Sequence, residues 1–143
     1  MRFDPKAFES LSGLEASDYS LRLAKKGIAE ADVLPYFREK AAAMDLPHLE
    51  VAVFLLAKVG TSEAWITVAD YLDHPDFNIR FVATKMMKEV VAVDEHVMKR
   101  AVAVLSRLAG DGLADELKVL LRRPANTEAG RIAAEYISNT GGN

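Results

Sequence analysis

The sequence predicts an all-α fold of about eight helices, and three observations carry that prediction. Apolar residues recur at three- and four-residue spacing along most of the chain, whereas strand-like alternation never lasts more than a few residues. Stop signals punctuate the pattern, among them Gly27, Gly60 and the Gly110-Asp111-Gly112 stretch. The links between apolar stripes are short, about two to five residues, which makes consecutive helices antiparallel neighbours.

Taken in order, residues 5–11 form a short N-terminal turn or helix. Ser17-Asp18 is the expected cap of the next helix, which carries Tyr19, Leu21 and Leu23-Ala24 and stops at Gly27. A helix over about 30–44 places Val33, Leu34, Phe37 and Ala41 on one face, with Pro35 within its first turn or so, where a missing N–H does little harm. Pro47 opens a helix with Val51, Leu55 and Val59 four apart, and Gly60 closes it. Thr61 or Ser62 caps a helix bearing Trp65, Val68, Ala69 and Leu72, and Asp73 to Pro75 is the turn after it. From about Asp76 to Val91 a broad stripe follows: Ile79, Val82, Ala83, Met86, Met87 and Val90. Asp94 caps a helix to about Leu108 with Val97, Ala101, Val104 and Leu105 inward. Beyond the loop at 109–112, helices are expected over 113–123 and from Thr127 to about residue 138.

Composition is consistent with one domain that buries a real core. The chain has 143 residues, of which 50% are hydrophobic and 27% charged. With no cysteine, disulfides and thiolate chemistry are excluded. Met1-Arg2-Phe3-Asp4-Pro5-Lys6 puts charge where a signal peptide needs an apolar run. The longest apolar run, Val51 to Ala57, falls far short of the roughly 20 residues that span a bilayer. The expectation is a cytoplasmic chain with no membrane association, a monomer or weak homodimer. Its net charge of −3 is unevenly spread. Residues 1–76 carry 8 Lys and Arg against 13 Asp and Glu, and residues 77–131 carry 10 against 7. Such a polarity steers charged partners.

An internal repeat is visible when Pro47 is placed over Pro75, an offset of 28 residues that lies in the range of helical repeats. Leu55 then falls on Ala83 and Val59 on Met87. The stretch from Ala57 to Met87 has Gly60 after one helix, Ala64 early in the next, Leu72 before the turn at Pro75-Asp76, and Ile79-Arg80 followed by Ala83. This pattern resembles the HEAT repeat, particularly the short form of phycobilisome lyases and many bacterial proteins. Weaker echoes lie at Leu120 to Pro124 with Arg131 and Ala134, and at Val33-Leu34-Pro35 ahead of Pro47. The resemblance implies a short right-handed α-solenoid of antiparallel helix pairs, a HEAT-like or armadillo-type superhelix. Residues 1–143 form one such domain, with 1–29 an N-terminal cap, 30–60 a repeat, 61–91 the clearest repeat, and 94–138 a degenerate repeat and C-terminal cap. It also implies that Gly60, Pro75, Asp76, Arg80 and Ala83 are structural repeat positions, with an aspartate at the turn and Arg80 bonding to neighbouring repeats.

The residues offer little that is shaped for catalysis. His48, His74 and His96 lack metal-site spacing, no Gly-rich phosphate loop is present, and no serine sits in a nucleophile elbow. Neither a metal nor a cofactor is expected, and the chain reads as no enzyme. Trp65, Met86 and Met87 read as core. The expected function is a non-catalytic protein-binding module, such as an adaptor, an inhibitor or immunity-type protein, or an accessory subunit. Its candidate contacts are Phe54, Lys58, Phe81, Lys85 and Lys88 on the face lined by second helices. The alternative is a HEAT-like protein that binds nucleic acid or repairs alkylated bases, disfavoured by the acidic net charge.

Overall fold

A computed structural model describes residues 2–88 and 95–105. Among them lie seven α-helices and no strand: α1 (Pro5–Ser10), α2 (Gly13–Lys26), α3 (Glu30–Lys40), α4 (Leu46–Val59), α5 (Ser62–Ala69), α6 (Phe77–Lys88) and α7 (Glu95–Leu105). The all-α prediction therefore holds for these residues. The expected cap at Asp94, the loop at 109–112 and the helices beyond it lie outside the described residues.

The first helices are fixed by capping chemistry and an aromatic cluster. Asp4 Oδ1 accepts from the backbone N–H groups of Lys6 and Ala7, and Pro5 occupies the first helical position, where no N–H is needed. The N–H of Asp4 donates to the Tyr19 hydroxyl at 2.9 Å. Phe3 lies 5.6 Å from Phe8 and 5.3 Å from Tyr36, ring centre to ring centre, which ties the N-terminal segment to α3.

Helix α2 starts earlier than the sequence reading placed it. Ser12, not Ser17-Asp18, is the cap. Ser12 Oγ accepts from the Glu15 N–H at 3.3 Å, and Glu15 Oε1 accepts from the Ser12 N–H at 3.1 Å. This capping box satisfies two orphan donors at once, so it outcompetes a single cap five residues later. Ser17 and Asp18 are exposed inside the helix, where Asp18 pairs with Arg22 at 3.2 Å. Buried Ala16, Tyr19, Ser20 and Leu23 define the inner stripe, and Leu21, expected among the apolar positions, is exposed.

Helix α3 also departs from expectation. It ends at Lys40, and Ala41–Ala43 tighten into a 3-10 turn before Met44 and Asp45 become extended. Asp45 must leave the helical conformation to cap α4, and the tightened turn is how the chain gets there. Pro35 is the sixth residue of α3, beyond the first turn, and is exposed. Val33, Leu34 and Phe37 are buried as read.

Helix α4 is the centre of the packing. Asp45 Oδ1 accepts from the His48 N–H at 2.8 Å, and Pro47 sits in the first turn. Seven of its residues are buried, Leu49, Val51, Ala52, Val53, Leu55, Leu56 and Ala57, and it packs against α2, α3, α5 and α6. Its contact with α2 is close: a methyl group on Gly13 would lie 2.8 Å from Pro47 Cβ. Glycine is therefore what allows the first turns of these two helices to touch. Gly60 closes α4 in the left-handed region (φ 76°, ψ 4°).

Thr61 caps α5, its hydroxyl accepting from the Ala64 N–H at 3.3 Å and contacting the Glu30 carboxylate. The regular helix ends at Ala69, three residues before the expected Leu72. Over those three residues the bonds shorten to the 3-10 pattern, Tyr71 N–H to Val68 O at 3.0 Å and Leu72 N–H to Ala69 O at 3.1 Å. Leu72 stays buried all the same. Asp76 Oδ1 then accepts from the N–H groups of Asn78 and Ile79 and so caps α6, which begins at Phe77. Ile79, Ala83, Met86 and Met87 are buried, with Val82 partly so. Helix α6 packs on α4 and α5, while α7, with Val97, Ala101 and Val104 buried, packs on α5. Trp65 is partly buried against this core.

The 28-residue offset that superposes the two prolines is not the structural one. Pro47 follows its capping aspartate by two residues and Pro75 precedes its own by one. Superposing the caps, Asp45 on Asp76, gives 31.

Candidate functional site: an exposed apolar face

Helices α2, α4 and α6 lie side by side, α4 in the middle. Their inner stripes turn towards the core, so the remaining positions share an outer face. On α2 these are Leu14 (85% exposed), Ser17 and Leu21. On α4 they are Pro47, Glu50, Phe54 and Lys58, and on α6 Phe77 (65% exposed), Phe81 (57% exposed) and Lys85. Spacings of three and four residues put each set on one side of its helix. Between α2 and α4 the face opens into a groove of about 470 Å³ lined by Gly13, Leu14, Ser17, Pro47, Glu50, Val51 and Phe54.

Among the expected binding residues, Phe54 is partly buried, and the Lys58 ammonium lies 5.4 Å from the centre of its ring. Phe81 is exposed and stacks on Phe77 at 6.1 Å. Lys85 is exposed one turn further on. The side chain of Lys88 lies outside the described ones. Two residues of the face were absent from the sequence reading. Leu14 sits between a capping serine and its glutamate partner, a segment read as lying before the helix. Phe77 immediately follows Asp76, inside the expected helix but off the apolar stripe that begins at Ile79. Recognising Ser12 and Glu15 as a capping box would have put Leu14 on an exposed helical position.

Of the expected structural positions, Pro75, Asp76 and Arg80 meet at the α5–α6 junction, where Arg80 bonds to carbonyls of its own turn. Arg80 Nη1 donates to the carbonyls of His74 (3.1 Å) and Pro75 (3.2 Å), and its guanidinium lies 5.8 Å from the Phe77 ring centre. His74 Nδ1 accepts from the Asp76 N–H at 3.0 Å. Ala83 is fully buried.

A second depression, about 230 Å³, lies between α1, α3 and the start of α4 and is lined by Phe8, Tyr36, Lys40, Met44 and His48, among others. Tyr36 and the Nδ1 side of His48 are engaged, whereas His48 Nε2 is buried without a hydrogen-bond partner among the described residues. Tyr36 donates to Glu9 Oε1 at 2.8 Å, and burial followed by that carboxylate raises the phenol pKa. His48 Nδ1 lies 2.7 Å from Asp45 Oδ1, and its ring meets Phe8 edge-on at 5.1 Å. The hydrogen bonds from the His48 backbone and then its ring hold the Asp45 carboxyl below its ordinary range. These contacts fix α1 and α3 onto α4. Among the described residues no group of three or more His, Asp or Glu is gathered to hold a metal ion, and no helix is long and apolar enough to cross a membrane.

No protein-family model matches the chain, and neither a curated protein nor a solved structure is significantly similar to it.

Proposed function

We propose that this chain is a non-catalytic protein-binding module, a short HEAT-like α-solenoid whose working face is the outer side of α2, α4 and α6. The observation that carries this reading is the run of apolar side chains across three adjacent helices: exposed Leu14 and Leu21, then half-buried Phe54, then exposed Phe77 and Phe81. Isolated exposed apolar residues need no explanation, but a run across neighbouring elements, rimmed by Lys58, Lys85 and Glu50, matches the anatomy of a docking surface. Two stacked phenylalanines and a phenylalanine beneath a lysine supply the aromatic anchors that dominate binding energy.

The solenoid part of the reading is supported by how the helices alternate. Helix α4 packs on both α2 and α6, its neighbours but one, as α5 packs on α7. Polar contacts recur between residues about 30 apart: Arg2 with Asp32, Glu30 with Thr61, and Asp70 with Arg100. This is the spacing of stacked helical pairs. Nucleic-acid binding is the alternative, and no observation on the face favours it over a protein. Its apolar residues are aliphatic as well as aromatic, and Glu50 sits among them.

Site-specific photocrosslinking tests the proposal. With a photoreactive residue at position 81 in the native host, a discrete protein adduct is expected that is missing when it sits at exposed Ser10. Adducts with nucleic acid alone, or none at either position, refute it.

A further inference from the structure

We infer that the partner of this face is an acidic amphipathic helix, laid across α2, α4 and α6 with its carboxylates over their C-terminal ends. The inference rests on the docking reading above and adds the partner's chemistry. Its basis is a division of labour among the cations. The arginines described are engaged within the chain: Arg2 with Asp32, Arg22 with Asp18, Arg38 with Glu63, Arg100 with Asp70, and Arg80 with two backbone carbonyls. Lys25, Lys26, Lys58 and Lys85 are exposed, and among the described residues none of them has a carboxylate partner.

Lys6 on α1 is exposed in the same way, but the other four lysines share the three helices of the face. Lys25 and Lys26 close α2, Lys58 closes α4, and Lys85 lies one turn beyond Phe81 on α6. The first turns of α2 and α4 meet at Gly13 and Pro47, so the two helices run the same way. Two chain reversals, at Gly60-Thr61 and at residues 70–76, bring α6 back beside α4 in the same sense. On each helix a lysine therefore lies one turn beyond an apolar residue of the face, on its C-terminal side: Lys25 beyond Leu21, Lys58 beyond Phe54 and Lys85 beyond Phe81. The acidic residues of these helices, Glu15, Asp18 and Glu50, lie towards the opposite, N-terminal side. Lysine at a helix end suits the macrodipole, but that accounts for each helix singly, not for an apolar band beside the three ends.

An occupant must therefore be apolar along one stripe and negative along the flank that meets the lysines. A helix meets this economically. Packed helices stand about 8–10 Å apart, and residues i and i+7 of a helix are about 10 Å apart along its axis. One anchor would enter the groove beside Leu14 and Phe54 while the next reaches Phe81.

Peptide display decides this. The full chain would select from a library of helical peptides about 18 residues long, unbiased in charge. Enriched peptides are expected to be net negative with apolar residues seven apart. Their binding should fall about tenfold or more with the Phe54→Ala/Phe81→Ala variant, and again with Lys58→Glu/Lys85→Glu. Circular dichroism on each variant confirms that it is folded, which the exposure of three of these four side chains favours. Neutral or basic peptides that still lose binding with the phenylalanine variant overturn the acidic helix and leave the docking face standing. Peptides indifferent to both variants, or no enrichment, overturn both. Duplex DNA or anionic vesicles that bind where no peptide does, and lose binding with Lys58→Glu/Lys85→Glu, also overturn it.

Discussion

Two junctions reverse the chain on either side of α5, and they do it by different means. Between α4 and α5 the link is Gly60-Thr61. A left-handed glycine turns the chain and one hydroxyl caps the next helix while contacting Glu30, so the reversal is backbone geometry plus a single side chain. Between α5 and α6 residues 70–76 make the turn without a left-handed residue. It is held by side chains: Asp76 caps, His74 accepts from the Asp76 N–H, and Arg80 gathers two carbonyls. A tight link is specified by what one residue can adopt, and a long one by what several side chains can reach. In the long link the His74 and Pro75 carbonyls take their donor from a side chain, Arg80.

The largest effect is expected at the long junction. Arg80→Ala removes the donor from the His74 and Pro75 carbonyls and should cost about 2 kcal/mol in urea denaturation. Arg80→Lys should recover only part of this, because a single ammonium does not reproduce the planar fork. Equal stability of all three would show that the junction is held by the backbone, as its counterpart is. Next in size, Gly60→Ala forces an L-residue into the left-handed region and should cost about 1 kcal/mol or somewhat more. Asp76→Ala and Thr61→Ala should each cost about 1 kcal/mol, with Thr61→Ser close to wild type.

Acid should produce the smallest change and separate carboxylate caps from hydroxyl ones. Asp45, which caps α4, has its folded-state pKa held below the ordinary 3.8. A depressed carboxylate contributes stability that is complete above its unfolded value and is lost as pH falls through the folded one. The melting temperature should therefore be insensitive to Asp45 above about pH 5 and fall below about pH 4. Asp45→Asn should flatten that fall. Thr61, which does not ionise in this range, should contribute equally at both ends, so Thr61→Ala is expected to shift the whole curve down.

How far the sequence was legible follows from the same physics. Helix identity and the inner stripes of α3, α4, α6 and α7 were readable because burial imposes a period, and Val33, Leu55, Ala83 and Ala101 sit where that period places them. Gly60 was readable because few residues take its conformation. Boundaries were not, where two signals compete: Ser12 and Ser17 are both acceptable caps, and only the reciprocal bond from Glu15 distinguishes them. Nor was the repeat register. The proline-based offset is three residues short of the cap-based one, and three residues is nearly a full helical turn. The apolar stripe survives that slip almost unchanged, so periodicity could not detect it. Phe54 and Phe81 were legible as edge residues of their stripes, but Leu14 and Phe77 were not, since exposure depends on which neighbours arrive.

The central position of α4 has a consequence for how the molecule breathes. A helix wedged among α2, α3, α5 and α6 cannot open without releasing them all, so its amides should exchange with solvent only through global unfolding. Short α1, held by its cap, two tyrosine hydroxyl bonds and a few rings, should open far more often. Deuterium uptake should then be fastest at α1 and slowest from Val53 to Ala57, so that rigidity is graded outwards from a single helix and the exposed face rests on the part of the chain that moves least.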